Sequence, residues 1–117
     1  MSGLVSYLAG ASAEKQVAAH YARNGMAITA ERWRGTGGEI DLVAQDGDGL
    51  VFIEVKKSRS HARAAGRLSM RQIGRLFDAA GEYMAAFCAG GGVNARFDVA
   101  LVDGAGRIEI IENALVA

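Results

Sequence analysis

Gly38-Glu39-Ile40-Asp41-Leu42-Val43-Ala44-Gln45-Asp46-Gly47-Asp48-Gly49-Leu50-Val51-Phe52-Ile53-Glu54-Val55-Lys56-Lys57 is the stretch from which the rest of the chain can be placed. Two runs rich in β-branched and apolar residues, Glu39 to Gln45 and Leu50 to Lys57, flank Asp46-Gly47-Asp48-Gly49, a turn signal that closes a hairpin. Centring the turn between Gly47 and Asp48 sets Asp41 opposite Glu54, Glu39 opposite Lys56, Val43 opposite Phe52 and Gln45 opposite Leu50. Side chains alternate along a strand, so these pairs share one face. The other face collects Ile40, Leu42 and Ala44 with Val51, Ile53 and Val55. Apolar residues on both faces predict central strands covered on both sides.

Working outward, Ser12 to Asn24 keeps helical spacing at Val17, Ala18, Tyr21 and Ala22, with Ser12 as N-cap and Asn24-Gly25 as the stop. Met26 to Arg34 reads as a strand broken by Gly35-Thr36-Gly37-Gly38. Beyond the hairpin, residues 58–68 are polar, basic and without clear periodicity, which predicts a mobile basic loop. Ser69 with Gln72 matches a capping box. Ile73, Leu76, Phe77, Ala80, Met84, Phe87 and Cys88 then form one apolar stripe that stops at Gly90-Gly91-Gly92. Phe97 to Val102 and Ile108 to Ile111 read as two more strands. The order α-β-β-β-α-β-β predicts an α/β domain over residues 1–117, a mixed sheet of about five strands flanked by helices.

Composition fits one domain: 117 residues, about half hydrophobic, with 13 Lys plus Arg against 13 Asp plus Glu. Zero net charge excludes a uniformly basic nucleic-acid binder and a polybasic membrane anchor. The charge is nonetheless segregated, since residues 32–75 carry nine of the 13 bases and only five of the acids. A single cysteine, Cys88, can form neither an internal disulfide nor a cysteine-rich zinc site. The chain opens without a basic start and nowhere runs 18 apolar residues together, so neither a signal peptide nor a membrane span is expected, and cytoplasm is the default.

Like charges placed directly opposite each other on a sheet destabilise it, so Asp41 and Glu54 need a reason to coexist. A hard divalent cation is one, because carboxylate oxygens are its preferred ligands. Lys56, two residues from Glu54 on the same face, suits the attacking water or a phosphate oxyanion. The combination points to metal-assisted phosphodiester hydrolysis. An ordinary Glu39–Lys56 cross-strand ion pair, with Asp41 and Glu54 at a solvated sheet end, is the alternative.

The ordered motifs Gly38-Glu39-Ile40-Asp41-Leu42-Val43-Ala44, Asp46-Gly47-Asp48 and Val51-Phe52-Ile53-Glu54-Val55-Lys56 resemble the signature of the YraN-like family of small bacterial proteins. That family belongs to the PD-(D/E)xK restriction-endonuclease-like superfamily and is similar to Holliday-junction resolvases. Gly10 and Glu14 with Ala18 and Tyr21, Arg32-Trp33-Arg34, Arg71-Gln72, Arg96-Phe97-Asp98-Val99 and Glu112-Asn113-Ala114 extend the likeness over most of the chain. The resemblance implies a nuclease core in which Asp41 and Glu54 hold Mg²⁺ or Mn²⁺, Lys56 serves the hydrolytic water, Glu14 adds an acidic ligand and Gln72 lies beside the site. Glu39 would stand behind these ligands. Lys56-Lys57-Ser58 replaces the family's usual Lys-Thr-Arg, which alters substrate contacts rather than metal ligands.

Glu14 and Gln72 also have local explanations, as a first-turn carboxylate and a capping-box residue. Arg32, Arg34, Lys57, Arg59, Arg63, Arg67, Arg71 and Arg75 are the expected phosphate-binding residues, and no acid interrupts the chain between Lys56 and Phe77. Trp33 is read as core and Cys88 and Met84 as packing residues. The expected partner is structured or branched DNA, with a homodimer to supply two sites for a junction. The other functional class is a non-catalytic nucleic-acid-binding or adaptor module that keeps the same fold.

Overall fold

The computed structural model describes residues 3–88 and 93–115, with side chains described from Ser12 onward. Its elements are α1 (Gly3–Arg23), β1 (Ala27–Arg34), β2 (Glu39–Asp46), β3 (Gly49–Lys57), α2 (His61–Ala65), α3 (Met70–Phe87), β4 (Ala95–Val102) and β5 (Ile108–Ile111). The strands form one five-stranded mixed sheet in the order β1-β2-β3-β4-β5. Only β3 and β4 run parallel, joined by the crossover through α2 and α3.

Each face is covered as the apolar pattern requires. Ala13, Val17 and Tyr21 of α1 bury against Leu42, Ala44, Val51, Ile53, Ala100 and Val102. Leu76, Ala79, Ala80 and Tyr83 of α3 bury against Ile40, Val43, Leu50 and Phe52. Trp33 packs edge-on against Tyr83, with ring centroids 5.4 Å apart, and so belongs to the core. The stripe on α3 is shifted from the expected one: Ala79 and Tyr83 are buried, whereas Phe87 is 63% exposed.

Three boundaries differ from the sequence reading. α1 begins at Gly3, so Ser12 is an interior helical residue rather than its cap. The basic segment contains a short helix, α2, capped by Ser60, whose Oγ accepts the Arg63 N–H at 3.2 Å. Fully buried Ala64 docks it on Val99 and Leu101 of β4. α3 ends at Phe87, where the Cys88 N–H donates to the Met84 carbonyl at 2.8 Å; Gly90-Gly91-Gly92 lies outside the described residues. The capping box is present, with Gln72 N–H on Ser69 Oγ at 3.1 Å and Ser69 N–H on Gln72 Oε1 at 3.3 Å. No helix among the described residues is long and apolar enough to cross a membrane.

Candidate active site

The hairpin register is the expected one from Leu42↔Ile53 to Asp46↔Gly49, and there it stops. Past Leu42 the strands part, and the Val55 N–H donates to the Asp41 carboxylate at 2.8 Å. Asp41 and Glu54 are therefore not a cross-strand pair in a continuing ladder. The other side of β2 is irregular at the same place. Glu31↔Leu42 and Trp33↔Ile40 are paired, but Arg32 between them has φ of 49°, the left-handed region that a residue with a Cβ rarely enters. The pleat reverses at that point: Leu42 joins the α1 core, whereas Ile40, two residues away, joins the α3 core with Val43. A continuous strand would put Ile40 and Leu42 on one face, as the sequence alone suggests.

β3 does not bend with β2, because its parallel ladder to β4 continues through Glu54↔Val99 and Lys56↔Leu101 to Lys57↔Val102. Glu54 and Lys56 thus stand on a rigid strand, with Lys56 Nζ 3.0 Å from Glu54 Oε1. Both side chains are largely shielded, 16% and 13% exposed for Lys56 and Glu54. Together with Asp41 they line one cleft, whose remaining walls are Glu39, Gln72 and Arg75. The first turns of α3 supply Gln72 and Arg75, so the capping box that starts the helix also fixes where Gln72 sits.

Asp41 carries the electrostatic tension. Burial first, and the neighbouring Glu54 carboxylate second, push its carboxyl up to about 8, against the Val55 N–H, which favours the anion. Glu14 adds to the repulsion, which places it in the same field. Its carboxylate is nevertheless engaged by Arg32 Nε at 2.8 Å, and it does not line the cleft. Glu39 pairs with Arg34 at 3.5 Å and Lys56 with Glu54, so the alternative of an ordinary Glu39–Lys56 cross-strand ion pair is not what the structure shows. Among the described residues, no three His, Cys, Asp or Glu side chains form a ready-made metal cluster. Asp41 and Glu54 are a two-carboxylate set, a number that Mg²⁺ commonly takes while keeping several waters.

The remaining expected residues divide by place. Arg75 is in the cleft, and Arg34 borders it. Arg59, Arg63, Arg67 and Arg71 are exposed along α2 and its flanks, and Arg67 also donates to the Lys57 carbonyl at 3.2 Å. Arg32 is tied to Glu14. Lys57, Arg59, Arg63, Arg71 and Arg75 have no carboxylate within ion-pair distance among the described residues, unlike Arg96, which is chelated by Asp98. Sequence reasoning missed Glu82 of α3, whose carboxylate accepts the Thr36 N–H at 3.1 Å, the Gly37 N–H at 3.3 Å and the Thr36 hydroxyl. Its only sequence signal is the glycine-rich break that it holds.

The model of the uncharacterised protein family UPF0102 matches residues 13–102. The chain belongs to the UPF0102 family. A UPF0102 protein of Cereibacter sphaeroides strain ATCC 17025 is 59% identical over 117 residues, all of both chains. One from strain ATCC 17029 of that species is 57% identical over the same span. A third, from Ruegeria pomeroyi, is 53% identical over 112 residues, 96% of this chain and 91% of its own. UPF0102 is the YraN-like family of the sequence resemblance, and every residue lining the cleft lies within the matched span.

Proposed function

We propose that this UPF0102 chain is a Mg²⁺- or Mn²⁺-dependent endonuclease of the PD-(D/E)xK, restriction-endonuclease-like type that hydrolyses phosphodiester bonds in structured or branched DNA. One observation carries the reading: Asp41, Glu54 and Lys56 meet in a single cleft walled by Gln72 and Arg75, and Asp41 sits where its ionised form is disfavoured unless a positive charge joins it. The donor set fits a hard divalent cation, with Asp41 and Glu54 as the residues that would hold it. Glu14 would join them only on leaving Arg32. When bound, such a cation supplies charge neutralisation at the phosphoryl oxygens and lowers the pKa of a water.

The chain's own groups do the rest. Glu54 holds the Lys56 ammonium in place, and Lys56 orients the attacking water or donates to a phosphate oxygen. Arg75, unpaired among the described residues, offers a planar fork to the phosphate. The exposed arginines of the 59–71 segment neutralise the backbone without reading its sequence. One carboxylate cleft among the described residues of each chain means that cutting both strands of a junction needs two copies, so a homodimer is part of the proposal. Light scattering with and without DNA tests it, a strict monomer in both counting against it.

A cleavage panel of four-way junctions, flaps, duplexes and single strands in Mg²⁺ and Mn²⁺ tests the reading. Wild type cuts at least one substrate, and Asp41→Ala, Glu54→Ala and Lys56→Ala each lose about 100-fold or more in rate. No cleavage by wild type, or variants as fast as wild type, overturns it. A specific observation favours the second reading, a binding module without catalysis. Lys56 already balances Glu54 and Arg32 balances Glu14, so a protonated Asp41 leaves the cleft neutralised without a cation. That module would bind DNA in a salt-sensitive way that Asp41→Ala leaves unchanged.

A further inference from the structure

Beside the carboxylate cleft lies a second one, lined by Arg34, the loop of residues 35–38, Glu39 and Arg75. Glu39 and Arg75 belong to both, so the two are continuous. The floor of the second cleft is unusually constrained. The Gly35 N–H closes the loop on the Gly38 carbonyl at 2.8 Å. A Cβ at Gly38 would stand 2.5 Å from the Arg75 carbonyl oxygen, and one at Gly37 would stand 2.9 Å from Asp78 Cβ. Only glycine lets the loop approach α3 this closely. The Thr36 and Gly37 N–H groups are spent on Glu82, so the loop is fixed rather than free to bind a ligand through those two donors.

What the cleft offers is therefore its two guanidinium groups. Arg75 has no ion-pair partner among the described residues. Arg34 touches Glu39 only at 3.5 Å and is 79% exposed, a contact that an incoming anion can replace. Two guanidinium groups and one carboxylate share the cleft wall, Asp78 and Glu82 of α3 standing against the loop itself, and a guanidinium binds phosphate in bidentate fashion.

We infer that Arg34 and Arg75 form a second phosphodiester-binding cleft, so that a DNA strand with one phosphate at Asp41 and Glu54 has a neighbouring phosphate held over the glycine loop. This rests on the nuclease reading and adds the path of the strand to it. Arg75 is the hinge between the two positions. The carboxylate of Glu82 acts at a distance, as a positioning residue that sets the loop, while Glu39 keeps Arg34 in place when no strand is bound.

The test is fluorescence anisotropy of a labelled four-way DNA junction over a series of salt concentrations, with Ca²⁺ replacing Mg²⁺. Arg34→Ala and Arg75→Ala each weaken binding several-fold and lower the slope of log K against log salt by about one, and the double variant lowers it by about two. Arg23→Ala, at the far end of α1, changes neither. A double variant with the wild-type slope overturns the second cleft while leaving cleavage by wild type intact. Reduced slopes in a protein that cuts nothing in Mg²⁺ or Mn²⁺ keep the strand path and refute the nuclease. No binding by wild type refutes both.

Discussion

Asp41 is held where its charge is opposed by burial and by Glu54, and that has a pH signature. Its carboxyl stands at about 8 in the folded protein against an ordinary 3.8, so the folded state binds the proton more tightly. The stability this gives is full below pH 3.8 and is lost as pH rises toward 8. In metal-free protein, Asp41→Asn keeps an acceptor for the Val55 N–H but cannot ionise, so urea denaturation at pH 4 and pH 8 shows a smaller loss than wild type, by more than about 1 kcal/mol. Asp98 is the opposite case, a fully buried carboxylate whose partners are all supplied. It accepts from the Tyr21 hydroxyl at 2.7 Å, from Arg96 at 3.1 Å and from the Asn113 N–H at 2.9 Å. Asp98→Ala strands these donors and costs about 3 kcal/mol or more in the same assay. That Asp41, Glu54 and Lys56 come together was legible from residue type and spacing, whereas the burial of Asp98 among Tyr21, Arg96 and Asn113 was not. The parting of β2 from β3 was not, nor was the left-handed conformation of Arg32 beside it, which its residue type does nothing to advertise.

Elements with a strong periodic or capping signal were readable, and short ones held by tertiary contacts were not. The hairpin register from Leu42 to Asp46 follows from the turn and the alternation, and α3 follows from its stripe and its capping box. α2 spans five residues, too few for periodicity, and is fixed by Ala64 against β4, with Ser60 its single local cue. Glycines separate the two kinds of constraint cleanly. Gly74 in α3 has open space around a would-be Cβ, so Gly74→Ala raises stability by about 0.5–1 kcal/mol through helix propensity. Gly38→Ala instead pushes the loop off the Arg75 backbone and lowers the melting temperature, a loss that calorimetry reads directly. Ser69→Ala removes the α3 cap, costs about 1 kcal/mol and also releases Gln72 from its place beside the cleft.

At the scale of the molecule, zero net charge hides a division of labour. A sheet buried on both faces opens at one end, where β2 bends away from β3, and Arg75 stands in the cleft formed there. Only the fold shows that Glu14 and Glu39 are drawn off by Arg32 and Arg34, leaving Asp41 and Glu54 as the pair that meets Lys56. The claim on which the rest depends is that this pair is a divalent-cation site whose occupation displaces the Asp41 proton. Calorimetric titration of Mn²⁺ into the protein at pH 7, repeated in two buffers of different ionisation enthalpy, measures binding and proton release together. Saturable binding with release of a fraction of a proton or more, abolished in Asp41→Ala, is the predicted result; no binding heat in wild type, or the same heat and release in Asp41→Ala, would contradict it.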